Sequence, residues 1–301
     1  MTFGAENPVL PGVPLALHTM HERTFETNRF VYPVLSRRSG GLSIGVNLNP
    51  DKVCNFDCIY CQVDRRSQSE TRFVDLPALL AELEAMLDLV ASERIYDTEK
   101  FRATPKSLRR LNDIAFSGDG EPTTYRNFDE IIAACADLKR RHRLSDVKMV
   151  LITNASMFHR EHVRRGLEIL DANQGEIWAK LESGTDAYYK LVERTPIPFR
   201  QILDNITGAA KARPLVIQSL FMRIHGEPPA AEEQEAFCDR LREIVSAGGQ
   251  IKLVQIYTIA RRTAEDFVTP LTDAEVDTLA ELVRQRTNLP TAAYYGQSEN
   301  K

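Results

Sequence analysis

The sequence predicts an α/β fold built around a parallel sheet, and two patterns support this prediction. Short apolar runs of strand length alternate with longer runs whose apolar residues recur at helical spacing. The alternation gives six strands, each followed by at least one helix, and repeated βα units imply parallel strands joined by right-handed crossovers. Six such units fit either an open doubly wound sheet or an incomplete barrel. In both folds the chemistry is expected at the carboxyl ends of the strands.

The predicted elements follow one another from about residue 41. The predicted strands are residues 42–48, 113–118, 147–154, 176–182, 214–222 and 251–259. The predicted helices are residues 77–92, 127–141, 157–170, 186–192, 230–247 and 273–286, and the fifth ends at Gly248 and Gly249. Residues 1–40 are rich in Pro and Gly and lack sustained periodicity, so we expect a packed N-terminal extension there. Residues 96–110 are charged, contain Pro105, and are interpreted as a loop or a frayed helix.

The composition is typical of a soluble globular protein. The chain has 301 residues, of which 43% are hydrophobic and 27% charged, and its formal charge of −4 gives no general attraction to nucleic acid. No apolar run approaches the roughly 18 residues that a membrane span needs, and no export signal is evident. An odd number of cysteines, five in all, argues against a disulfide framework. We therefore expect a cytoplasmic protein that does not enter a membrane.

Three of the five cysteines lie in one short loop after the first predicted strand. Cys54, Cys58 and Cys61 have the spacing Cys-x3-Cys-x2-Cys. A structural zinc site would need a fourth ligand, and Cys135 and Cys238 fall within predicted helices, where they are interpreted as small core residues. Three thiolates can instead bind three irons of a four-iron cluster and leave the fourth iron open. An open iron suggests a reactive cluster rather than a simple electron carrier.

A glycine-rich acidic segment follows the second predicted strand. Its sequence is FSGDGEPTT, and glycines there allow the backbone to approach a ligand closely. Carbonyl groups or the carboxylate of Glu121 can accept hydrogen bonds from an ammonium group. The third strand ends in Thr153 and Asn154, which are interpreted either as ligand-binding residues or as the cap of the next helix.

The fourth predicted strand places charged side chains on one face. Strand alternation puts Trp178, Lys180 and Glu182 together, opposite the apolar face that starts at Ile177. A cation and a carboxylate inside a barrel must be paired with each other or bind ligand, because burial of an isolated charge is costly. On the fifth and sixth strands, the pairs Gln218/Ser219 and Gln255/Tyr257 are weaker candidates. We expect one member of each pair to face inward.

These motifs together resemble the signature of the radical S-adenosylmethionine (radical SAM) enzymes. The resemblance lies in the cysteine spacing, in Tyr60 directly before Cys61, and in the Gly-Glu-Pro end of the acidic segment, and it extends over most of the chain. It implies an incomplete (β/α)6 TIM-like barrel of parallel strands over residues 41–262, with a C-terminal helix and tail at 263–301. Asp119 departs from the pattern, since many relatives have Gly there.

The resemblance also implies the cofactors and the residues that bind them. A 4Fe-4S cluster is expected on Cys54, Cys58 and Cys61, and its open iron would bind the amino and carboxylate groups of S-adenosylmethionine. The expected S-adenosylmethionine-binding residues are Tyr60, Gly118, Gly120, Glu121, Pro122, Thr153, Asn154, Lys180, Glu182 and Ser183. The implied reaction is reductive cleavage to a 5′-deoxyadenosyl radical that abstracts hydrogen from a substrate. An electron donor such as flavodoxin or ferredoxin is expected as a partner.

A narrower resemblance concerns the segment before the first strand. Pro33, Ser36, Arg37 and Arg38 form a Pro-x-x-Ser-Arg-Arg run, and this run and residues 254–272 are similar to a group of radical SAM proteins related to tRNA wyosine-forming enzymes. Those enzymes carry further N-terminal cysteines for a second cluster, whereas this chain has no cysteine before Cys54. The substrate is therefore left open between an RNA base, a peptide or protein, and a small metabolite. The formal net charge of −4 does not favour RNA as the substrate.

Two other classes of protein compete with the radical SAM interpretation. A 4Fe-4S electron-transfer protein would take its fourth cluster ligand from the chain and would not cleave S-adenosylmethionine. A zinc-stabilised nucleic-acid-binding module is opposed by the acidic charge and by the length of the chain.

Overall fold

A computed structural model describes residues 25–65, 67 and 69–296 of the chain. Residues 1–24 of the predicted extension and 297–301 of the predicted tail lie outside the described residues. The strands are β1 (Val31–Ser36), β2 (Gly41–Val46), β3 (Leu111–Phe116), β4 (Lys148–Thr153), β5 (Gly175–Lys180), β6 (Leu215–Leu220), β7 (Met222–Ile224), β8 (Ile251–Tyr257), β9 (Val268–Pro270) and β10 (Thr291–Tyr294). The α-helices are α1 (Leu76–Ala91), α2 (Phe128–Arg141), α3 (Glu161–Asp171), α4 (Asp186–Glu193), α5 (Phe199–Ala212), α6 (Ala231–Ser246) and α7 (Asp273–Thr287).

Eight of the strands form one curled, mostly parallel sheet in the order β1-β2-β3-β4-β5-β6-β8-β10. All neighbours pair in parallel except β1, which pairs antiparallel with β2. On the inner face of the sheet Ala115, Val150, Trp178 and Val216 come from four successive strands and form one buried cluster. The prediction of an incomplete barrel of parallel strands is confirmed. The strands β7 and β9 form a separate antiparallel pair.

The strand alternation predicted for β5 is also confirmed. Ile177, Ala179 and Leu181 lie in the large apolar core, which includes buried residues of all seven helices. Trp178 and Lys180 face the opposite way, into the lumen of the half-barrel, where both line a cavity. A single residue of register shift would exchange these two faces, so the burial of the apolar face fixes which polar groups enter the lumen.

Several elements differ from the sequence-based prediction. Residues 31–36 of the predicted extension form β1, and the predicted helix at 157–170 begins only at Glu161. Residues 96–110 lie largely outside α-helix, with short 3-10 turns at Arg94–Asp97 and Lys106–Leu108. The prediction had no counterpart for α5, β9 or β10, and it merged β6 and β7 into one strand.

The edge strand β1 is held by a carboxylate from α1. Glu82 accepts backbone N–H groups of Arg29, Phe30 and Val31 at 3.0, 2.8 and 3.1 Å. These contacts satisfy donors that lie just before and at the start of the strand, where the sheet offers no partner on its outer side.

No helix in the described part of the chain is long and apolar enough to cross a membrane.

A salt-bridge network crosses the amino ends of the central strands. Glu176 of β5 contacts the Lys148 ammonium of β4 at 3.2 Å and the Lys252 ammonium of β8 at 2.9 Å. The Trp178 indole N–H donates to the same carboxylate at 2.8 Å. Burial acts to raise the pKa of Glu176, but hydrogen bonds from Lys252 and Trp178 and the charges of both lysines outweigh it and lower the pKa.

Glu176→Gln is expected to lower the free energy of unfolding by about 1 kcal/mol at pH 7. Because the folded-state pKa lies below the ordinary value, the carboxylate contributes stability above its unfolded pKa. That contribution is lost as the pH falls through the folded pKa, so the difference between wild type and variant should shrink toward zero. Urea unfolding between pH 7 and pH 3.5 measures this difference. Glu227→Gln, at an exposed position, is the control. If the difference in free energy of unfolding between wild type and Glu176→Gln did not change with pH, the stabilising role of the ionised Glu176 carboxylate would be contradicted.

Candidate active site

The predicted site residues surround one cavity of about 290 Å³ in the lumen of the half-barrel. Eleven of the thirteen line it: Cys54, Cys58, Tyr60, Cys61, Gly118, Gly120, Glu121, Thr153, Asn154, Lys180 and Glu182. Pro122 and Ser183 are buried beside their motif neighbours and are not among the lining residues. The sheet thus brings together segments that are up to about 130 residues apart in the sequence.

The cysteine loop has no regular secondary structure and is held in place by its neighbours. The N–H groups of Asp57 and Ile59 donate to the carbonyls of Glu193 and Val192 at the end of α4, at 3.2 and 2.9 Å. Ile59 is fully buried and anchors the loop in a small apolar cluster. The loop therefore presents its three thiols to the cavity from a fixed backbone.

The thiols differ in their electrostatic surroundings. The Cys58 thiol donates to the carboxyl group of Glu193 at 2.8 Å, and the Arg65 guanidinium lies 3.5 Å from the Cys61 sulfur. Burial, and then the nearby Glu193, raise the pKa of Cys58 well above its ordinary value. The pKa of Cys54 is also raised, mainly by burial. Metal binding at these positions has to displace the thiol protons.

The donor set fits an iron–sulfur cluster. Within the described ranges, no three His, Cys, Asp or Glu side chains converge on a point where one metal ion could bind. A four-iron cluster binds each thiolate through a different iron, so three separate thiols around a cavity suit it without such convergence.

The glycines of the acidic segment are required by contacts within the chain. A Cβ atom added to Gly118 would lie 2.1 Å from the Asn47 side-chain oxygen, and one added to Gly120 would lie 2.2 Å from the Val53 carbonyl oxygen. Asn47 also donates to Asp119 at 2.7 Å and accepts from its backbone N–H at 3.1 Å. The glycines therefore let this segment pack directly on the cysteine loop and the residues before it.

The Glu121 carboxylate is bound entirely by this chain's own donors. It accepts hydrogen bonds from the hydroxyls of Thr123 and Thr153 at 2.5 and 2.6 Å, and from the backbone N–H groups of Thr123 and Asn154 at 3.1 and 2.7 Å. It is 3% exposed, so these bonds replace water. Glu121 thus joins the loop after β3 to the end of β4, a role the sequence did not suggest.

The residues Thr153 and Asn154 do not cap the following helix, because α3 begins at Glu161 with Arg160 at its cap. Instead the Asn154 side chain donates to Asn55 at 2.9 Å, and Asn55 donates to the Ser156 hydroxyl at 2.7 Å. These contacts connect the end of β4 to the cysteine loop. The helix-cap alternative for Thr153 and Asn154 is therefore wrong.

A buried group of charges lies beside Cys58. The Lys180 ammonium is 5.2 Å from the centre of the Tyr60 ring, and the Tyr60 hydroxyl donates to Glu182. Burial acts to lower the pKa of Lys180, but Glu182, followed by Tyr257, Cys58 and Glu193, outweighs it and raises the pKa. Lys180 is therefore held as an ammonium group.

Glu193 belongs to this group, and the sequence-based prediction missed it. It is 4% exposed, and burial and the neighbouring Glu182 hold its pKa well above the usual range. Glu193 is the last residue of α4 and belongs to no motif, so nothing in the local sequence separates it from a solvent-exposed helix end.

The lumen also holds polar groups from β6 and β8. The Gln218 amide donates to Gln255 at 3.2 Å, and Tyr257 lines the cavity. The expectation that only one of Gln255 and Tyr257 faces inward is wrong, because residues two apart on a strand share a face. For the other pair, Gln218 lines the cavity and Ser219 does not.

The chain belongs to the Radical SAM superfamily, whose family model matches residues 48–233. It is 24% identical over 269 residues to a protein of Brachyspira hyodysenteriae named GTPase Obg, covering 88% of this chain and 35% of that protein. It is 25% identical over 221 residues to a UPF0026 protein of Helicobacter pylori, covering 71% of this chain and 62% of the relative. The chain thus spans about a third of the first relative and less than two thirds of the second.

Solved structures show the same fold. The structure of SuiB from Streptococcus suis bound to S-adenosylmethionine matches with a TM-score of 0.56 and 16% identity, covering 85% of this chain and 52% of that one. A structure of TYW1 with a lysine-pyruvate adduct matches with a TM-score of 0.51 and 16% identity, covering 82% and 74% of the two chains. At this identity the likeness concerns the fold.

Glu121→Gln is expected to lower the free energy of unfolding by about 1–3 kcal/mol, because an NH2 group would face a donor in a buried site. Urea unfolding measures the change. Glu130→Gln is the matched control, since Glu130 is exposed and accepts a hydrogen bond from the exposed Asn127 side chain, and it should stay within about 0.5 kcal/mol of wild type. Equal stability of the two variants would show that Glu121 does not hold the two loops together.

Proposed function

We propose that this protein is a radical SAM enzyme that binds one 4Fe-4S cluster through Cys54, Cys58 and Cys61. The observation that carries the proposal is the convergence of these thiols, the Gly118–Glu121 segment and the end of β4 on one cavity. The remaining cysteines in the chain, Cys135 and Cys238, are buried in α2 and α6. When bound, the cluster would supply the electron that cleaves S-adenosylmethionine reductively to methionine and a 5′-deoxyadenosyl radical, which abstracts hydrogen from substrate.

The cavity offers suitable groups for S-adenosylmethionine. The Ser183 hydroxyl is buried and has no hydrogen-bond partner among the described residues, whereas the Glu182 carboxyl group contacts Tyr60 and Glu193. A buried acceptor without a partner is costly, and an ammonium or a ribose hydroxyl would satisfy it. Lys180, held as an ammonium beside Cys58, suits the methionine carboxylate. The backbone of the glycine segment forms the adjoining wall of the cavity.

The residues of the chain also restrict side reactions. Tyr60, Trp178 and Tyr257 occupy the lumen, with Tyr60 and Trp178 each 5% exposed. Apolar rings exclude water from the space in which a radical would form, and the protein thereby supplies orientation while the cofactors supply the chemistry. A flavodoxin or ferredoxin is proposed as the electron donor.

The names of the relatives give no substrate for this chain. The sequence has no Gly-x4-Gly-Lys-Ser/Thr run, so we propose no GTPase activity from the partial similarity to GTPase Obg. Transfer of the tRNA chemistry implied by the resemblance to wyosine-forming enzymes is opposed by residues 1–53, which contain no cysteine for a second cluster.

The protein reconstituted with iron and sulfide without oxygen, given S-adenosylmethionine and a strong reductant, is expected to produce 5′-deoxyadenosine and methionine. Both products are quantified by mass spectrometry. Cys58→Ala should reduce the product to background, whereas Cys135→Ala, which removes a buried sulfur outside the cavity, should retain it.

Two results would contradict the proposal. A cluster-loaded protein that makes no 5′-deoxyadenosine, even with candidate substrates supplied, would favour the electron-transfer alternative. A colourless protein that contains zinc in place of iron would show that the three cysteines bind a different metal.

A further inference from the structure

Two arginines enter the lumen from the end opposite the cysteine loop. Arg37 and Arg38 lie in the turn between β1 and β2, and this turn is at the amino end of β2, whereas the cysteine loop follows its carboxyl end. Both arginines line the same cavity as the cysteines. The cavity therefore has a thiol-bearing end and an arginine-bearing end.

The guanidinium of Arg38 is fixed by aromatic rings. It lies 5.6 Å from the centre of the Trp178 ring and 5.0 Å from the centre of the Tyr257 ring. Arg37 beside it donates to the carbonyl of Tyr295, just after the opposite edge strand β10. The guanidinium also hydrogen-bonds the Tyr257 hydroxyl, and its remaining N–H donors, along an edge that the rings do not cover, can bind an oxyanion.

No carboxylate of a described residue forms a salt bridge with Arg38, although acidic groups lie in the same lumen. Glu176 is engaged by Lys148 and Lys252, and Asp113 accepts from the Ser43 hydroxyl. Glu182 lies with Lys180 near Cys58. A partly buried guanidinium that has no carboxylate partner attracts anions, and an oxyanion bound there would form charge-assisted hydrogen bonds with it.

We propose that Arg38 binds an oxyanion of the substrate, a carboxylate or a phosphate, and so orients the substrate with its reacting end toward the cysteine loop. This substrate class rests on the proposed function. The methionine carboxylate of S-adenosylmethionine is assigned elsewhere, because it belongs near the open iron, where Lys180 and Arg65 are neighbouring cations. Arg38 instead reaches the lumen from the amino end of β2 and contacts Trp178, which lies two residues before Lys180 on β5, and Tyr257.

Trp178 is the only tryptophan of the chain, so its fluorescence reports directly on the Arg38 site. Sodium phosphate and sodium acetate are titrated separately into the full chain, before cluster reconstitution, with sodium chloride holding the ionic strength constant. At least one of the two anions should change the fluorescence saturably. The anion with the lower dissociation constant identifies the substrate oxyanion as a phosphate or a carboxylate.

Three variants make the titration specific. Arg38→Gln should weaken anion binding about tenfold or more, and Arg38→Lys should weaken it less, because it keeps the charge but loses the planar fork. The control is Arg29→Gln, which should bind as wild type does. Arg29 packs on the Phe30 ring at 5.9 Å and does not line the cavity. Circular dichroism and the urea midpoint verify that each variant is folded.

Three outcomes would overturn the proposal: no saturable response to either anion, an equal response in Arg38→Gln, or one-for-one displacement of the anion by S-adenosylmethionine. The last would assign Arg38 to the cosubstrate. The readout needs neither a cluster nor S-adenosylmethionine cleavage. Anion binding in a protein that makes no 5′-deoxyadenosine would therefore contradict the proposed function while leaving the anion site in place.

Discussion

The buried carboxylate of Glu121 joins the two strand ends on which the candidate site is built. Two of its four hydrogen bonds connect the loop after β3 to Thr153 and Asn154 at the end of β4, and the other two, from Thr123, fix the carboxylate within the loop. Asn154 in turn contacts Asn55 in the cysteine loop. The cysteine loop has no helix or strand of its own, so these bonds, together with the hydrogen bonds of Asp57 and Ile59 to the end of α4, set its position relative to the glycine segment.

The same contacts explain why glycine is needed beside Glu121. The backbone at Gly118 and Gly120 packs against Asn47 and Val53 too closely for any side chain. The glycines of this motif are thus needed first because they allow two loops of the protein to pack against each other. Its effect on ligand binding follows, because the fitted loops define one wall of the cavity.

The lumen separates its charges along the direction of the strands. Lys180, Glu182 and Glu193 lie together near Cys58, while Arg38 extends from the turn at the other end onto Trp178 and onto Tyr257, which also interacts with Lys180. Each charge in the first group has an opposite charge or a hydrogen-bonding group close by, which is the condition for keeping charges in a buried site. Arg38 contacts the Trp178 ring and the ring and hydroxyl of Tyr257 but forms no salt bridge with a carboxylate of a described residue, and this difference is the basis for assigning an anionic ligand to it.

The local sequence pattern is sufficient to predict the six central strands and most residues that line the candidate site. Central strands are buried on both faces and read as short apolar runs, and the three cysteines carry a distinctive spacing. The edge strand β1 contains Pro33, and β10 is the short segment TAAY, so neither has a clear strand pattern. Helix α5 does show apolar residues at helical spacing, so its local sequence is sufficient to predict a helix. Glu193 could not be found locally, because its importance arises from a contact with Cys58, 135 residues away.

Mössbauer spectroscopy of the 57Fe-loaded protein, with and without S-adenosylmethionine, tests the central claim most directly. Three cysteines on a four-iron cluster leave one iron without a thiolate, so one iron of the four should change its signal when S-adenosylmethionine is added. The signals of the other three should stay nearly unchanged. Four irons that do not respond to S-adenosylmethionine would show that the chain completes the cluster itself, and the account would be contradicted.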